Sequence, residues 1–126
     1  MSLDEYYTAF LKGIEEYNEA RFFECHDTWE EIWHEIYGSD KKFLHGLIQT
    51  AIGLYHFTSR NPKGARSMFA KAFAKLEGYQ PSYRGIAVSA LLRHIERYCI
   101  PVIEQMERGE AVTLTPDMLP KLYLQQ

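Results

Sequence analysis

The chain has 126 residues, of which 46% are hydrophobic and 25% are charged, a composition typical of a globular domain with one core. Its net charge of −3 excludes a general attraction to nucleic acid or to anionic membrane surfaces. There is no basic and apolar leader, and no apolar run approaches the roughly 20 residues that cross a bilayer. We therefore expect a soluble, cytoplasmic protein that binds neither membrane nor nucleic acid.

The spacing of apolar residues is helical along almost the whole chain, and strand-like alternation of useful length does not occur. Ser2 followed by Glu5 is a capping-box pattern and predicts the start of a first helix, which ends near 18–20. A second helix, Phe22–Tyr37, follows after a short break and ends at Gly38. Because short connections favour antiparallel neighbours, these two helices should form a hairpin.

The third and fourth predicted helices differ in how much of their surface is apolar. Ser39 or Asp40 is predicted to cap a third helix, Lys41–Ser59, which is apolar nearly all round. Such a helix is typical of the centre of a bundle. Asn61 followed by proline predicts the cap and first turn of a fourth helix, Pro62–Leu76.

A fifth helix is predicted from Tyr83 or Gly85 to Glu107. Pro101 lies inside this helix and has no backbone N–H, and its ring clashes with the preceding turn. We therefore expect the fifth helix to be kinked or split at this residue.

The last stretch, 109–126, has little periodicity and should be an irregular, extended tail with one short helical turn near Pro116–Leu119. Cys25 and Cys99 lie in helical patterns among apolar residues, which favours reduced core thiols over a disulfide. Together these patterns predict an all-α fold: residues 1–126 form a single domain, a bundle of about five helices with antiparallel hairpins.

Two polar side chains of the second helix lie on its apolar face. At about 100° per residue, with His26 at 0°, Glu30 lies at about 40°. The apolar residues of the helix occupy the same arc: Phe22, Phe23, Cys25, Trp29, Ile32, Trp33, Ile36 and Tyr37. A carboxylate and an imidazole on a buried face must be paired or bound to a ligand. His26 and Glu30 therefore mark a candidate site and are its candidate catalytic residues.

The third helix repeats this anomaly, because His45, Gln49 and His56 lie within about 40° of one another on a helix that is otherwise apolar. Gly46 and Gly53 permit the close approach of a neighbouring helix or a ligand. Antiparallel packing of the second and third helices would bring the polar residues together beside a tryptophan. The predicted ligand pocket comprises His26, Glu30, Trp33, Gln49 and His56.

Metal binding is one interpretation of this pocket. An imidazole and a carboxylate one helical turn apart, such as His26 and Glu30, can ligate the same divalent ion, for example zinc, iron or manganese. A third ligand would come from His56, His45 or His34. If the protein is an enzyme, the ion would activate water for hydrolysis, and Glu30 or His26 would move the proton.

Two other interpretations need no metal. In one, Glu30 holds His26 in a single tautomer so that the imidazole binds a small ligand or acts in acid–base chemistry. In the other, the pair is an ordinary structural contact. The chain is then a non-catalytic interaction module whose helical-hairpin groove binds a protein partner. The residues leave these alternatives open. They also leave open whether the chain forms a homodimer.

Basic residues concentrate around the fourth helix and beyond it. The sequence has no Gly-rich phosphate loop and no basic motif interleaved with aromatic residues, so we interpret them as a solvated face. They are Arg60, Lys63, Arg66, Lys71, Lys75, Arg84, Arg93 and Arg97.

The segment from His26 to Trp33 (HDTWEEIW) has the pattern H-x-x-x-E-x-x-W. With this motif the chain resembles a family of short bacterial, archaeal and plastid proteins, a domain of unknown function. The likeness covers about 14–76, including FLHGLIQ at 43–49 and NPKGA at 61–65. The resemblance implies an all-helical bundle and a motif linked to metal binding, without an established reaction.

Overall fold

A computed structural model describes residues 2–125, and the fold is all-α, as predicted. The helices are α1 (Tyr7–Asn18), α2 (Phe22–Trp33), α3 (Ser39–Thr58), α4 (Pro62–Leu76), α5 (Val88–His94) and α6 (Ile100–Glu107). Short 3₁₀ turns lie at Leu3–Tyr6, Glu77–Tyr79 and Pro116–Met118. Within residues 2–125 no β-strand occurs, and no helix has the length and apolar character needed to span a membrane.

The α1–α2 hairpin is built around a buried tryptophan. Trp29 donates its indole N–H to the Phe10 carbonyl at 3.1 Å, and its ring stacks on Phe10 and Tyr17. Because Phe10 contacts Trp29 while Tyr17 contacts Phe22, the two helices run antiparallel. A Cβ at Gly13 would lie 2.0 Å from the indole nitrogen of Trp29, so only glycine permits this approach.

The central helix α3 packs closely against α4 through its two glycines. A Cβ at Gly53 would lie 2.6 Å from the Phe69 ring, and a Cβ at Gly46 would lie 2.6 Å from the Leu76 side chain. Since the earlier glycine contacts the later part of α4, these helices are also antiparallel. The close approach predicted for both glycines is thus used by a neighbouring helix.

The predicted starts of α1 and α3 do not have the predicted caps. The side chain of Ser2 makes no capping hydrogen bond, and the chain enters α1 through a 3₁₀ turn. Neither Ser39 nor Asp40 caps α3, whose N-cap is Gly38. Gly38 has a φ of 71°, in the left-handed region that favours glycine, and it reverses the chain between α2 and α3. Helix α2 ends at Trp33, earlier than the apolar pattern predicted.

Asp40 is buried and acts as an anchor for distant segments. Its carboxylate accepts hydrogen bonds from the Tyr83 hydroxyl at 2.7 Å, the Leu3 amide at 3.1 Å and the guanidinium of Arg84. Burial alone would raise the pKa of Asp40, but these hydrogen bonds and the charge of Arg84 hold it below its ordinary value. Arg84 also contacts Asp4. Arg84 is therefore a structural residue, which corrects its assignment to a solvated basic face.

Helix α4 matches its predicted bounds, and the Asn61 side chain accepts a hydrogen bond from the Gly64 amide as an N-cap. The next helix starts later than predicted, at Val88, because the backbones of Tyr83 and Ile86 pair with each other. The sequence predicted a kink or split at Pro101, and the structure has a π-helical turn, Ile95–Cys99, between α5 and α6 just before this residue. A wider turn accommodates the missing proline amide and the bulk of its ring.

The C-terminal tail packs back on the bundle and includes the predicted short turn at Pro116–Met118. Buried Leu122 exchanges two hydrogen bonds of 2.8 Å with the Asn18 side chain at the end of α1. Further on, the Gln125 amide donates to the Gly85 carbonyl at 2.8 Å. The tail therefore connects the end of α1 to the segment before α5.

Both cysteines are free and buried, as predicted. Burial raises the pKa of Cys99 to about 12. Burial, and then the neighbouring Glu16, raise the pKa of Cys25 as well. Both side chains are therefore protonated core thiols at neutral pH.

Candidate functional site

A cleft of about 170 Å³ lies between α2 and α3 at the level of His26. Its lining is apolar and aromatic apart from two imidazoles, and consists of Phe22, Phe23, His26, Ile52, Tyr55 and His56. We call it the α2–α3 cleft. The antiparallel packing of the two helices thus brings His26 and His56 to one place, as the sequence predicted.

Two aromatic rings form an exposed rim on this cleft. The side chains of Phe23 and Tyr55 are 55% and 42% exposed, and their ring centroids are 5.9 Å apart. The Phe23 ring also lies 6.2 Å from the His26 ring. Large apolar side chains are normally buried in the core, so an exposed pair beside a cleft is a feature of binding surfaces.

The imidazole of His26 lies between two carboxylates of its own helix. Its Nε2 is 2.7 Å from Oε2 of Glu30, and its Nδ1 is 3.3 Å from Oδ1 of Asp27. The predicted pairing is therefore present, but the side chains of His26 and Glu30 are 27% and 43% exposed. The pair predicted on a buried face is therefore only partly buried.

Trp33 lies further along the α2–α3 interface and does not line the cleft. Its ring centroid is 4.8 Å from that of His45, and its indole N–H donates to the Lys41 carbonyl at 3.1 Å. The Lys41 ammonium lies 4.6 Å from the centre of the Trp33 ring. Trp33 thus joins the end of α2 to the first turns of α3.

His45 lies on α3 between side chains of α2 and α4. Burial lowers its pKa, the positive charge of Lys75 lowers it further, and the negative charge of Glu30 acts in the opposite direction. A Cβ at neighbouring Gly46 would lie 3.4 Å from Cβ of Lys75. His45 of α3 is therefore flanked by an acidic side chain of α2 and a basic side chain of α4.

Gln49 occupies the same stripe of α3 as His45 and His56, and it is only 6% exposed. Its Oε1 atom has no hydrogen-bond partner among the residues that the structure describes. Gln49 does not contribute to the lining of the α2–α3 cleft. Of the predicted pocket, the cleft thus contains His26 and His56, with Glu30 at its edge through its contact with His26.

The predicted metal ligands do not form a metal-binding group. Across residues 2–125, no three or more His, Cys, Asp or Glu side chains are arranged to hold an ion. His56 accepts at Nδ1 from the Asn61 side chain at 3.2 Å. His34 is exposed, with its ring against Trp33. Of the proposed set His26, Glu30 and His56, the structure pairs only the first two with each other.

The sequence interpretation missed the role of Phe23, Ile52 and Tyr55, which line the cleft. All three fit the apolar pattern of their helices and were assigned to the apolar faces. The signal that distinguishes them is their position at the edge of those faces. A helix that is apolar nearly all round, such as α3, has no clear edge in its sequence.

Comparison with known proteins finds relatives without an established function. An uncharacterised protein of Bacillus subtilis (strain 168), YpuF, is 34% identical over 74 residues, which cover 57% of this chain and 42% of that protein. An uncharacterised protein of Aquifex aeolicus (strain VF5) is 27% identical over 81 residues, covering 64% of this chain and 24% of that protein. The chain thus spans less than half the length of either relative.

A domain family matches the part of the chain that contains the α2–α3 cleft. The match covers residues 10–68, from α1 into α4, and the family is described as "Domain of unknown function (DUF309)". It includes the HDTWEEIW segment and both histidines of the cleft. The predicted resemblance to a domain family of unknown function is therefore confirmed, and that family is DUF309.

Proposed function

We propose that this chain is a non-catalytic binding module that takes an apolar side chain of a protein partner into the α2–α3 cleft. The observation that carries the proposal is an apolar cleft with two aromatic rings exposed at its rim. Buried pockets filled by a single anchoring side chain dominate the affinity of many protein interfaces. The volume of about 170 Å³ suits one such side chain, whereas clefts for drug-sized molecules measure roughly 300–1,000 Å³.

The charge of α2 indicates which residues should surround the apolar anchor. The solvent side of α2 and the edge of the cleft have four carboxylates: Glu24, Asp27, Glu30 and Glu31. Glu24 and Glu31 are exposed and make no ion pair with any residue between 2 and 125. A partner segment with basic residues next to its apolar side chain would complement this surface.

In this function the His26–Glu30 pair is a structural and electrostatic element of the rim. Its contact of 2.7 Å holds a carboxylate beside the cleft. Metal-assisted hydrolysis would need a third ligand next to the pair. The other imidazole of the cleft belongs to His56, whose Nδ1 contacts the Asn61 side chain, and it is not grouped with the pair as a metal ligand set within residues 2–125.

A library of random peptides displayed on phage, selected against the wild-type chain, tests the proposal. We expect enriched peptides to contain a large aliphatic residue flanked by Lys or Arg. Phe23→Ala and Tyr55→Ala should each weaken binding of these peptides by about tenfold or more. The matched control is Tyr123→Ala, which removes an exposed ring outside the cleft. Peptides that bind all variants equally, or a library without enrichment, would contradict the proposal.

A further inference from the structure

The polar stripe of α3 lies between α2 on one side and α4 on the other. On the α2 side, the His45 ring contacts the Trp33 ring. On the α4 side, a Cβ at Gly64 would lie 2.8 Å from Cγ of His56. We call the combined surface the α2–α3–α4 face. Its α3 stripe consists of His45, Gln49, Ile52 and His56.

The border that α4 contributes to this face is basic, with one apolar side chain. At about 100° per residue, Met68, Lys71 and Lys75 fall within about 40° of Gly64, which lies against His56. Met68 is half-buried and Lys71 is exposed. Neither lysine forms an ion pair with a residue in the described part of the chain. Met68 followed by two lysines is the kind of segment that the α2–α3 cleft is proposed to bind.

The α2–α3–α4 face is therefore complementary to itself. Its α2 border has the apolar cleft and the carboxylate of Glu30, and its α4 border has an apolar side chain and two ammonium groups. A two-fold axis parallel to α3 would place the α2 border of each copy over the α4 border of the other copy. Such isologous contacts are the commonest way in which soluble proteins form dimers.

The positions along α3 also agree. The cleft lies at the level of Ile52 and His56. Met68 lies at the same level, because it is between Gly64, which contacts His56, and Phe69, which contacts Gly53. A rotation about an axis parallel to α3 preserves this level. Met68 of one copy therefore comes opposite the cleft of the other.

We propose that the partner is a second copy of this chain, and that Met68 of each copy enters the α2–α3 cleft of the other. Lys75 of each copy then lies over the Glu30 region of the other. The inference rests on the proposed binding function and names its partner. Methionine suits the role because its unbranched side chain adapts to irregular apolar clefts and makes favourable contacts with aromatic rings.

Light scattering coupled to size-exclusion chromatography, over a range of concentrations, tests the dimer. We expect the wild-type protein in solution to have twice the mass of a single chain. Met68→Glu should raise the dimer dissociation constant at least tenfold. At a concentration where the variant and the wild-type chain are both monomeric, their thermal midpoints should be nearly equal. The control Arg97→Glu changes a charge in a separate groove beside His94 and should leave the dimer unchanged.

Exchanging the charges of Glu30 and Lys75 distinguishes a contact between two copies from an effect of these residues within one chain. Glu30→Lys and Lys75→Glu should each weaken the dimer, and the two changes in the same chain should restore it. Without restoration, the assigned pairing is wrong. A wild-type chain that stays monomeric at its highest soluble concentration overturns the dimer. If the chain is monomeric but library peptides require Phe23 for binding, the dimer is wrong and the proposed binding function holds. If the chain is monomeric and the peptides do not require Phe23, both proposals are wrong.

Discussion

Arg84 binds both carboxylate oxygens of Asp40, with Nε 3.0 Å from Oδ1 and Nη2 2.7 Å from Oδ2. The planar guanidinium matches a carboxylate in this bidentate geometry, which gives stronger and more directional contacts than a single hydrogen bond. Because the same carboxylate accepts from Leu3 and Tyr83, it connects the N-terminal turn, the start of α3 and the segment before α5.

Replacing this carboxylate should be costly. Asp40→Asn removes the charge and leaves the partly buried guanidinium of Arg84 without its partner. We expect a loss of about 3 kcal/mol in the free energy of unfolding, in the range for breaking a buried ion pair. Urea denaturation measures the loss. The control Asp117→Asn changes an exposed carboxylate and should have an effect within about 0.5 kcal/mol.

The same contacts predict how stability depends on pH. The folded state lowers the pKa of Asp40, so its contribution is complete above the unfolded value of about 3.9 and is lost as the pH falls through the lower folded value. The stability difference between wild type and Asp40→Asn should therefore be constant from about pH 7 to about pH 5 and shrink below about pH 4. A difference that grows in acid would contradict this assignment.

Gly13 is predicted to tolerate no side chain. Gly13→Ala would place a methyl group 2.0 Å from the indole nitrogen of Trp29, so α1 and α2 would have to separate. We expect a destabilisation of about 3 kcal/mol in thermal or chemical unfolding. Gly78→Ala is the matched control, because a Cβ at Gly78 would meet no described atom within 4 Å. Equal effects of the two substitutions would show that close packing is not the cause.

His26→Ala should change stability only slightly. The imidazole and its Glu30 partner are both partly exposed, and exposed i,i+4 pairs contribute well under about 1 kcal/mol. Zinc, iron or manganese added to untagged protein should leave the thermal midpoint of wild type and variant unchanged. The metal interpretation of the motif gains support instead if one of these ions raises the wild-type midpoint and His26→Ala abolishes the rise.

His45 reports on the arrangement of the α2–α3–α4 face. Nuclear magnetic resonance titration should give it a pKa below the ordinary value of about 6.5, because of burial and then the charge of Lys75. Lys75→Gln should raise this pKa, and Glu30→Gln should lower it. Opposite shifts of the two variants are the expected signature. A shift of the same sign in both would place one of these charges elsewhere.

The sequence predicted features whose causes are local. The start of α4 follows from Asn61, which caps the helix, and from the proline after it. By contrast, the capping role expected of Asp40 was wrong because the side chain binds Arg84, which is 44 residues away. No local pattern contains that partner.

The same distinction applies to the candidate site. A helical wheel gives the direction of His26 and Glu30 but not the depth at which a neighbouring helix covers them. The convergence of His26 and His56 was predictable from antiparallel packing. The exposure of the Phe23 ring was not predictable, because it depends on how much of that ring α3 buries.

The ring of Phe69 lies in the space that a side chain at Gly53 would need. The DUF309 match ends at residue 68, just before this ring and in the middle of α4. The matched segment thus excludes the Phe69 ring that closes the contact between α3 and α4. A fragment cut at residue 68 would keep both histidines of the cleft but lose the ring that fills the space beside Gly53.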